Sequence, residues 1–197
     1  STPYSFSWQL LYRYLMARDV SVKTQGDNWQ FGSLLVKRLQ RRSGGYQSLD
    51  ARGNQLLIRY RHTSESQKIA QQLTFRDILE ESNNFDPTWI KNRIILIGVT
   101  APSIQDYHDT PYGRMRGLYV HAHVISQILS AVEDNRPLLW WWTLWGDMCW
   151  ILFWSFTGGV VVWLLLSPWY RGLAISLGVV VLYGCCWLVL RQGGWIP

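Results

Sequence analysis

Two long stretches without any charged residue dominate the C-terminal part of the chain. Met148–Tyr170 and Gly172–Leu190 contain no Asp, Glu, Lys or Arg. Each stretch has the roughly 20 residues that a helix needs to cross about 30 Å of hydrocarbon. A tight loop, Ser167–Arg171, separates them, and an aromatic cluster typical of a membrane interface precedes the first one: Trp140, Trp141, Trp142 and Trp145. The sequence therefore predicts a transmembrane helical hairpin with helices at about 144–166 and 172–190, rather than two buried helices of a soluble protein.

The part before Pro137 has the composition of an ordinary soluble domain. Beyond Pro137 only Asp147, Arg171 and Arg191 are charged, so the first part carries a net charge of +5 out of the total +6. This positive charge is spread along the chain, whereas a nucleic-acid footprint requires a clustered stripe. We therefore predict no nucleic-acid partner. The three cysteines all lie in the apolar part, where they behave as small hydrophobic residues, so no disulfide is predicted.

One stretch in the soluble part, from Arg93 to Val132, combines a buried strand, a polar loop and a helix. The apolar run Ile94–Ile97, closed by Gly98, is typical of a strand of a parallel sheet that is covered on both faces. A long polar loop, from Val99 to about Gly117, leads to a helix with apolar residues at helical spacing: Val120, Val124, Ile128 and Leu129. Because ligands bind outside the carboxyl ends of such strands, and loops this long are usually functional, we expect any functional site here.

The elements upstream alternate between helix and strand. The sequence predicts a first helix from Phe6 to about Ala17, capped by Ser5 or Ser7 and with one apolar face: Phe6, Leu10, Leu11, Tyr14 and Leu15. Strands are predicted at Phe31–Val36 and Gln55–Arg61. A capping box, Thr74 to Asp77, predicts a short helix that reaches Glu81.

This order predicts an α/β fold with a partly parallel sheet flanked by helices, followed by the transmembrane hairpin. We divide the chain into a soluble domain, residues 1–137, and a membrane region, residues 138–197. The soluble domain is expected to be incomplete at its N-terminus.

Several interpretations of the polar loop remain open. Asp106, His108, Asp109, His121 and His123 suggest a metal site, but His121 and His123 are two residues apart and face different sides of a helix. A Ser103–His121–Asp106 nucleophile lacks the G-x-S-x-G elbow. We therefore predict no catalytic residue, metal or cofactor.

In a purely structural interpretation, Asp106 and Thr110 cap turns, Pro111 and Gly117 shape the loop, and His121 bonds back to it. In a binding interpretation, a small-ligand pocket is walled by Arg59, Thr100, Asp106, Thr110 and His121, with a preference for an anion from Arg59 and Arg61.

Asp147 stands at the start of the first apolar stretch. Deep in the bilayer it would indicate a proton or ion path, whereas one turn from Trp150 it can reach the headgroup region. We favour the interfacial position. The charges of the loops do not decide the orientation, because Arg171 and Arg191 lie on opposite sides of the hairpin.

Separate blocks of the sequence, all in one order, resemble the second type of CHASE domain (cyclase/histidine-kinase-associated sensory extracellular domain). The blocks are Ile58–Arg61, Phe75–Leu79, Arg93–Thr100, Asp106, Thr110-Pro111, and Gly117 with His121-Ala122. The resemblance implies an extracytoplasmic input domain of bacterial, often cyanobacterial, signalling proteins such as two-component systems. It also implies membrane helices and a cytoplasmic output domain, and Ser43–Gln47 and Asp50–Gly53 look most like versions linked to a CHAT domain.

On this basis we expect a non-enzymatic sensor in the bacterial inner membrane, with residues 1–137 on the extracytoplasmic side. Its expected partners are the lipid bilayer, an unknown small molecule or extracytoplasmic protein and, because the usual outputs work as dimers, a second copy. Gly194–Pro197 is expected to lead into a third membrane helix. Two alternatives remain: a membrane-anchored enzyme acting at the Asp106/His121 loop, and a structural or transport subunit that uses Asp147.

Overall fold

The computed structural model describes residues 5–26, 28–53, 55–61, 69–79, 88, 90–101 and 103–196. Two compact units make up the chain: unit 1 comprises Ser1–Val36 and Ile58–Arg136, and unit 2 comprises Lys37–Leu57 and Pro137–Pro197. The expected mixed α/β class is confirmed, and its sheets are small. The division into domains at residue 137 stays a prediction.

Unit 1 begins with a helix that packs on a small antiparallel sheet. Ser5 caps this helix by accepting a hydrogen bond from the Trp8 N–H at 3.4 Å, as predicted. Leu11 and Leu15 on its inner face are fully buried, and Trp8 packs against Phe31. The elements are α1 (Phe6–Met16), β1 (Val22–Gln25), β2 (Asn28–Phe31) and β3 (Leu34–Val36), with strand order β1-β2-β3.

The predicted single strand Phe31–Val36 is wrong, because Gly32 interrupts it. Gly32 has a φ of +56°, a conformation that glycine adopts without strain, and the chain reverses there. Phe31 pairs with Leu34 across this turn, so the apolar run forms two antiparallel strands instead of one.

The rest of unit 1 contains a one-turn helix, a hairpin and a long helix. They are α2 (Phe75–Leu79), β4 (Tyr107–Thr110), β5 (Gly113–Arg116) and α3 (Gly117–Glu133). The Thr74–Asp77 capping box at α2 is confirmed, and the predicted extension to Glu81 lies outside the described residues. Almost every residue of α3 is buried or half-buried, so α3 is the central element of the unit.

Two predicted strands of the parallel sheet are not present. Residues 55–61 and 94–101 have no regular secondary structure and belong to no sheet. Ile94 and Leu96 are half-buried, whereas Ile95 is exposed and the side chain of Ile97 is 90% exposed. The prediction that Ile94–Ile97 lies in the middle of a sheet, covered on both faces, is therefore wrong.

Unit 2 contains two long apolar helices whose near ends are joined by a short pair of strands. Its elements are β6 (Trp140–Trp141), α4 (Leu144–Leu164), α5 (Pro168–Arg191) and β7 (Gly194–Trp195). Strands β6 and β7 pair in parallel, Trp140 with Gly194 and Trp141 with Trp195. The two helices match the predicted spans closely. By length and composition both could cross a membrane, and only 6% and 0% of their most apolar windows are buried, unlike core helices of soluble proteins.

Candidate functional site

Asp106 lies against the first residue of α3. The Gly117 N–H donates to the Asp106 carbonyl oxygen at 3.1 Å, and a side chain at Gly117 would collide with the Asp106 carboxylate. A carboxylate is favoured at this place because the first N–H groups of a helix have no intrahelical partner and carry a partial positive charge. The His108 Nε2 lies 3.3 Å from the Asp106 Oδ1. Asp106 thus has a clear local role at the start of α3.

Thr110 shapes the turn between β4 and β5. Its hydroxyl donates to the Gly113 carbonyl oxygen at 2.6 Å and accepts from the Tyr112 N–H at 3.2 Å. These are the bonds of a side-chain-stabilised turn. Thr100, on the irregular segment 94–101, is exposed. The next residue, Ala101, accepts a hydrogen bond from the Arg116 guanidinium at 3.1 Å, which fixes the segment beside the hairpin.

His121 connects α3 to α1. Its Nδ1 lies 2.7 Å from the hydroxyl of Ser7, which is buried, and the ring of Phe6 meets the imidazole edge-on with centroids 5.4 Å apart. His123, two residues further, is fully buried and points to a different element, as the spacing predicts. No described group of three or more His, Cys, Asp or Glu side chains could hold a metal ion.

Arg59 lies on the segment 58–61, whose backbone binds side chains of α3. The Arg59 N–H donates to the Gln127 Oε1 at 2.8 Å, and the Arg61 N–H donates to the His123 Nδ1 at 3.3 Å. The Arg61 guanidinium bonds to the Ser130 hydroxyl. Alternate N–H groups of the segment are therefore satisfied by helix side chains instead of by a neighbouring strand.

This polar face of α3, formed by His123, Gln127 and Ser130, was missed by sequence reasoning. The three residues recur at helical spacing, i, i+4 and i+7, which was the available signal. Tyr60 lies between the two bonded arginines and contacts the His123 ring edge-on at 5.0 Å. Burial raises the pKa of the Tyr60 hydroxyl above its ordinary value. Because the His123 Nδ1 accepts the Arg61 N–H, the proton of the neutral His123 ring lies on Nε2.

The five predicted ligand-binding residues are spread along α3 instead of forming one network. Asp106 stands at its first residue, His121 one turn later, and Arg59 at the level of Gln127. Among the described residues, no hydrogen bond joins any two of Thr100, Asp106, Thr110 and His121. Their role in binding a ligand stays a prediction.

An α/β unit is followed in sequence by two helices that are long and apolar enough to cross a membrane. The CHASE2 domain model matches residues 1–160, most of the chain. The chain belongs to the CHASE2 family of extracellular sensory domains, which confirms the family suggested by the sequence blocks. No curated protein and no solved structure shows significant similarity to the chain.

Proposed function

We propose that this chain is the non-enzymatic extracytoplasmic input part of a bacterial transmembrane signalling protein. The carrying observation is that one CHASE2 match runs from the α/β unit to residue 160, inside α4. The sensory module and the first apolar helix therefore belong to one family unit. The proposal places α4 and α5 across the inner membrane and residues 1–137 outside, and it includes an output domain on the cytoplasmic side.

The proposed signal passes through α3 into α4. The last residue of α3, Glu133, forms an ion pair with Arg18, which follows α1, at 2.9 Å, so the ends of α1 and α3 are tied together. Both helices also meet at the Ser7–His121 bond. A displacement of α1 against α3 would act on the short connection to Trp140. Such signalling requires a ligand that binds two states of the domain with different affinity, since equal affinity shifts nothing.

We place the proposed binding region at the start of α3, where Asp106 lies against Gly117, His121 follows one turn later, and Arg116 holds Ala101, the residue after Thr100. The ligand is a small molecule or an extracytoplasmic protein partner, and a second copy of the chain is the proposed dimer partner. The proposed preference for an anion rests on the charges of Arg59 and Arg61, and the Arg61 guanidinium also bonds to the Ser130 hydroxyl. A cyanobacterial origin, a two-component output and a CHAT-linked output are finer parts of the same proposal.

Two experiments test this proposal. A reporter fused within the loop at 165–167 should report a cytoplasmic location, and an external location would overturn the orientation. In the full-length protein, His121→Ala should change the response of the output to its stimulus without abolishing membrane insertion, with Ser126→Ala on the same helix as the matched control. Loss of substrate turnover in Asp106→Asn and His121→Ala, with signalling intact, would establish the enzyme alternative instead.

A second candidate function, that of a structural or transport subunit, depends on Asp147. Its side chain is only 6% exposed, and its Oδ1 has no hydrogen-bond partner among the described residues. Buried charges inside membrane helices mark ion or proton paths in many proteins. Ion flux that is lost in Asp147→Asn would support this candidate, and an unchanged phenotype would exclude it.

A further inference from the structure

The positive charge is spread over most of the soluble part, but one basic segment belongs to the same compact unit as the two apolar helices. Residues 37–57 carry a single acidic residue, Asp50, and five basic residues: Lys37, Arg38, Arg41, Arg42 and Arg52. We call residues 37–52 the basic loop. Its conformation is fixed by internal hydrogen bonds, since the Gln40 N–H donates to the buried Ser43 hydroxyl at 2.8 Å and the Leu49 N–H donates to the Arg41 carbonyl oxygen at 3.0 Å.

The basic loop packs directly on Trp195, four residues beyond the end of α5. Gly44 has a φ of +57°, and a Cβ at this position would stand only 2.8 Å from the Trp195 ring. The Tyr46 ring meets the Trp195 ring edge-on with centroids 4.6 Å apart. The loop is therefore held at one end of the helix pair by close aromatic and backbone contact.

This end of the helix pair has the composition of a membrane interface. The β6–β7 pair brings the start of α4 beside the end of α5. The Trp140 indole N–H donates to the Gln192 carbonyl oxygen at 3.3 Å. Tryptophans accumulate here, and the indole ring prefers the headgroup level of a bilayer: Trp140, Trp141, Trp142, Trp145 and Trp195. A loop packed on Trp195 consequently lies at headgroup level when α4 and α5 span a membrane.

Three cations of the basic loop are available at that level. Arg52 is paired with Asp50 at 2.7 Å, and Arg38 donates to the Ala51 carbonyl oxygen at 3.0 Å. In the described part of the chain, no hydrogen bond or ion pair engages the side chains of Lys37, Arg41 and Arg42, which are exposed. At the other end of the helix pair the single cation, Arg171, donates twice to the Leu165 carbonyl oxygen.

From this arrangement we propose that the basic loop binds the headgroups of anionic phospholipids beside α4 and α5. Guanidinium groups bind phosphate through two parallel hydrogen bonds, and each cation near an anionic surface strengthens binding about fivefold. The inference rests on the membrane placement proposed above but not on the sensing of any ligand. It gives the sensor a second contact with the membrane, besides α4 and α5. In the sequence, the basic loop lies between the two segments that form unit 1.

The experiment titrates the full chain, purified in detergent, with dioleoyl-phosphatidylglycerol or dioleoyl-phosphatidylcholine and counts bound lipids by native mass spectrometry. The wild type should retain phosphatidylglycerol preferentially. The double variant Arg41→Gln/Arg42→Gln should bind phosphatidylglycerol about 25-fold more weakly, because it loses two cations. Arg41→Lys/Arg42→Lys should keep most of the affinity. The control Arg13→Gln/Arg114→Gln removes the same charge from unit 1 and should leave the affinity unchanged.

Equal retention of the two lipids by the wild type, or equal affinity in the Arg41→Gln/Arg42→Gln variant, would overturn the inference. Displacement of the lipid by millimolar inorganic phosphate at constant ionic strength would also overturn it, because the site would then bind free phosphate. Resistance of the chain to carbonate extraction from membranes is measured separately. Extraction would refute the proposed membrane placement itself, whereas resistance without lipid preference refutes only the lipid inference.

Discussion

At the start of α2, hydrogen bonds from Thr74 lower the pKa of Asp77. The Thr74 hydroxyl and N–H donate to the Asp77 Oδ2 at 2.7 and 2.8 Å. These bonds favour the ionised carboxylate, so they hold the pKa of Asp77 below its usual value. Because the pKa is lower in the folded state, the pair stabilises α2 above the pKa of an unfolded Asp. This stabilisation is lost as the pH falls through the folded pKa.

We predict that Thr74→Ala raises the pKa of Asp77 towards the value of an exposed Asp. The substitution removes the hydroxyl bond, which lowers this pKa more than the backbone N–H bond does. The measurement is an NMR titration of the Asp77 carboxyl carbon. Asp50 serves as an internal reference, since its low pKa depends on Arg52 and should not change. An Asp77 titration curve that is identical in the variant and the wild type would contradict the prediction.

At the scale of whole elements, side chains on the polar face of α3 accept the backbone hydrogen bonds that a neighbouring strand was expected to accept. Gln127 is almost fully buried, and its Oε1 accepts the Arg59 N–H. Truncation to alanine would leave a backbone donor without its partner, which costs about 1–3 kcal/mol. The segment at residues 58–61 therefore depends on α3 side chains for its position.

We predict that Gln127→Ala lowers the stability of the chain by about 1–3 kcal/mol and removes the hydrogen-exchange protection of the Arg59 amide. Hydrogen exchange followed by mass spectrometry or NMR measures both effects. Ser126→Ala, on the neighbouring position of α3, is the control and should leave the Arg59 amide protected. Continued protection of that amide in Gln127→Ala would show that another group satisfies it.

The elements that local chemistry determines were predictable, and those that depend on distant partners were not. Ser5 at α1 and Thr74 at α2 act within one turn, so the sequence alone indicated both caps. The run Ile94–Ile97 indicated apolar surface to cover but not what would cover it, and Ile95 and Ile97 lie exposed. Strand pairing is non-local, and neither the turn at Gly32 nor the binding of segment 58–61 to α3 leaves a signal in an apolar pattern.

The candidate site follows the same division. The local roles of Asp106 and Thr110 at the start of α3 and in the β4–β5 turn were anticipated from their residue types. The expected bond from His121 back to the loop is not found among the described residues, and its partner is Ser7, which lies 114 residues earlier in the chain. His123 was considered only as a metal ligand, although its ring accepts a backbone hydrogen bond. A buried polar face on a helix is visible in sequence only when its partner is already known.

At the scale of the whole molecule, the two apolar helices are joined at both ends. Backbone pairing links the start of α4 to the end of α5, and the connecting loop links the end of α4 to the start of α5. The parallel register places the Cα atoms of Trp141 and Trp195 opposite each other, and Gly193 has a φ of +82°, which lets the chain turn back after α5. A side chain at Gly194 would collide with Val189 and Trp140, so glycine is required for this close approach. The start of α4 and the end of α5 therefore form one rigid junction.

This junction predicts a specific cross-link. In a background with Cys149, Cys185 and Cys186 replaced by Ser, the pair Trp141→Cys/Trp195→Cys should form a disulfide with mild oxidant. Paired strands lie about 4.8 Å apart, within the roughly 4.4–6.8 Å range of Cα separations in disulfides. The pair Thr143→Cys/Trp195→Cys, two residues out of register, should cross-link far less. Efficient cross-linking of the control pair, or none of the first, would show that the two helix ends separate, and the basic loop would then be anchored to α5 alone.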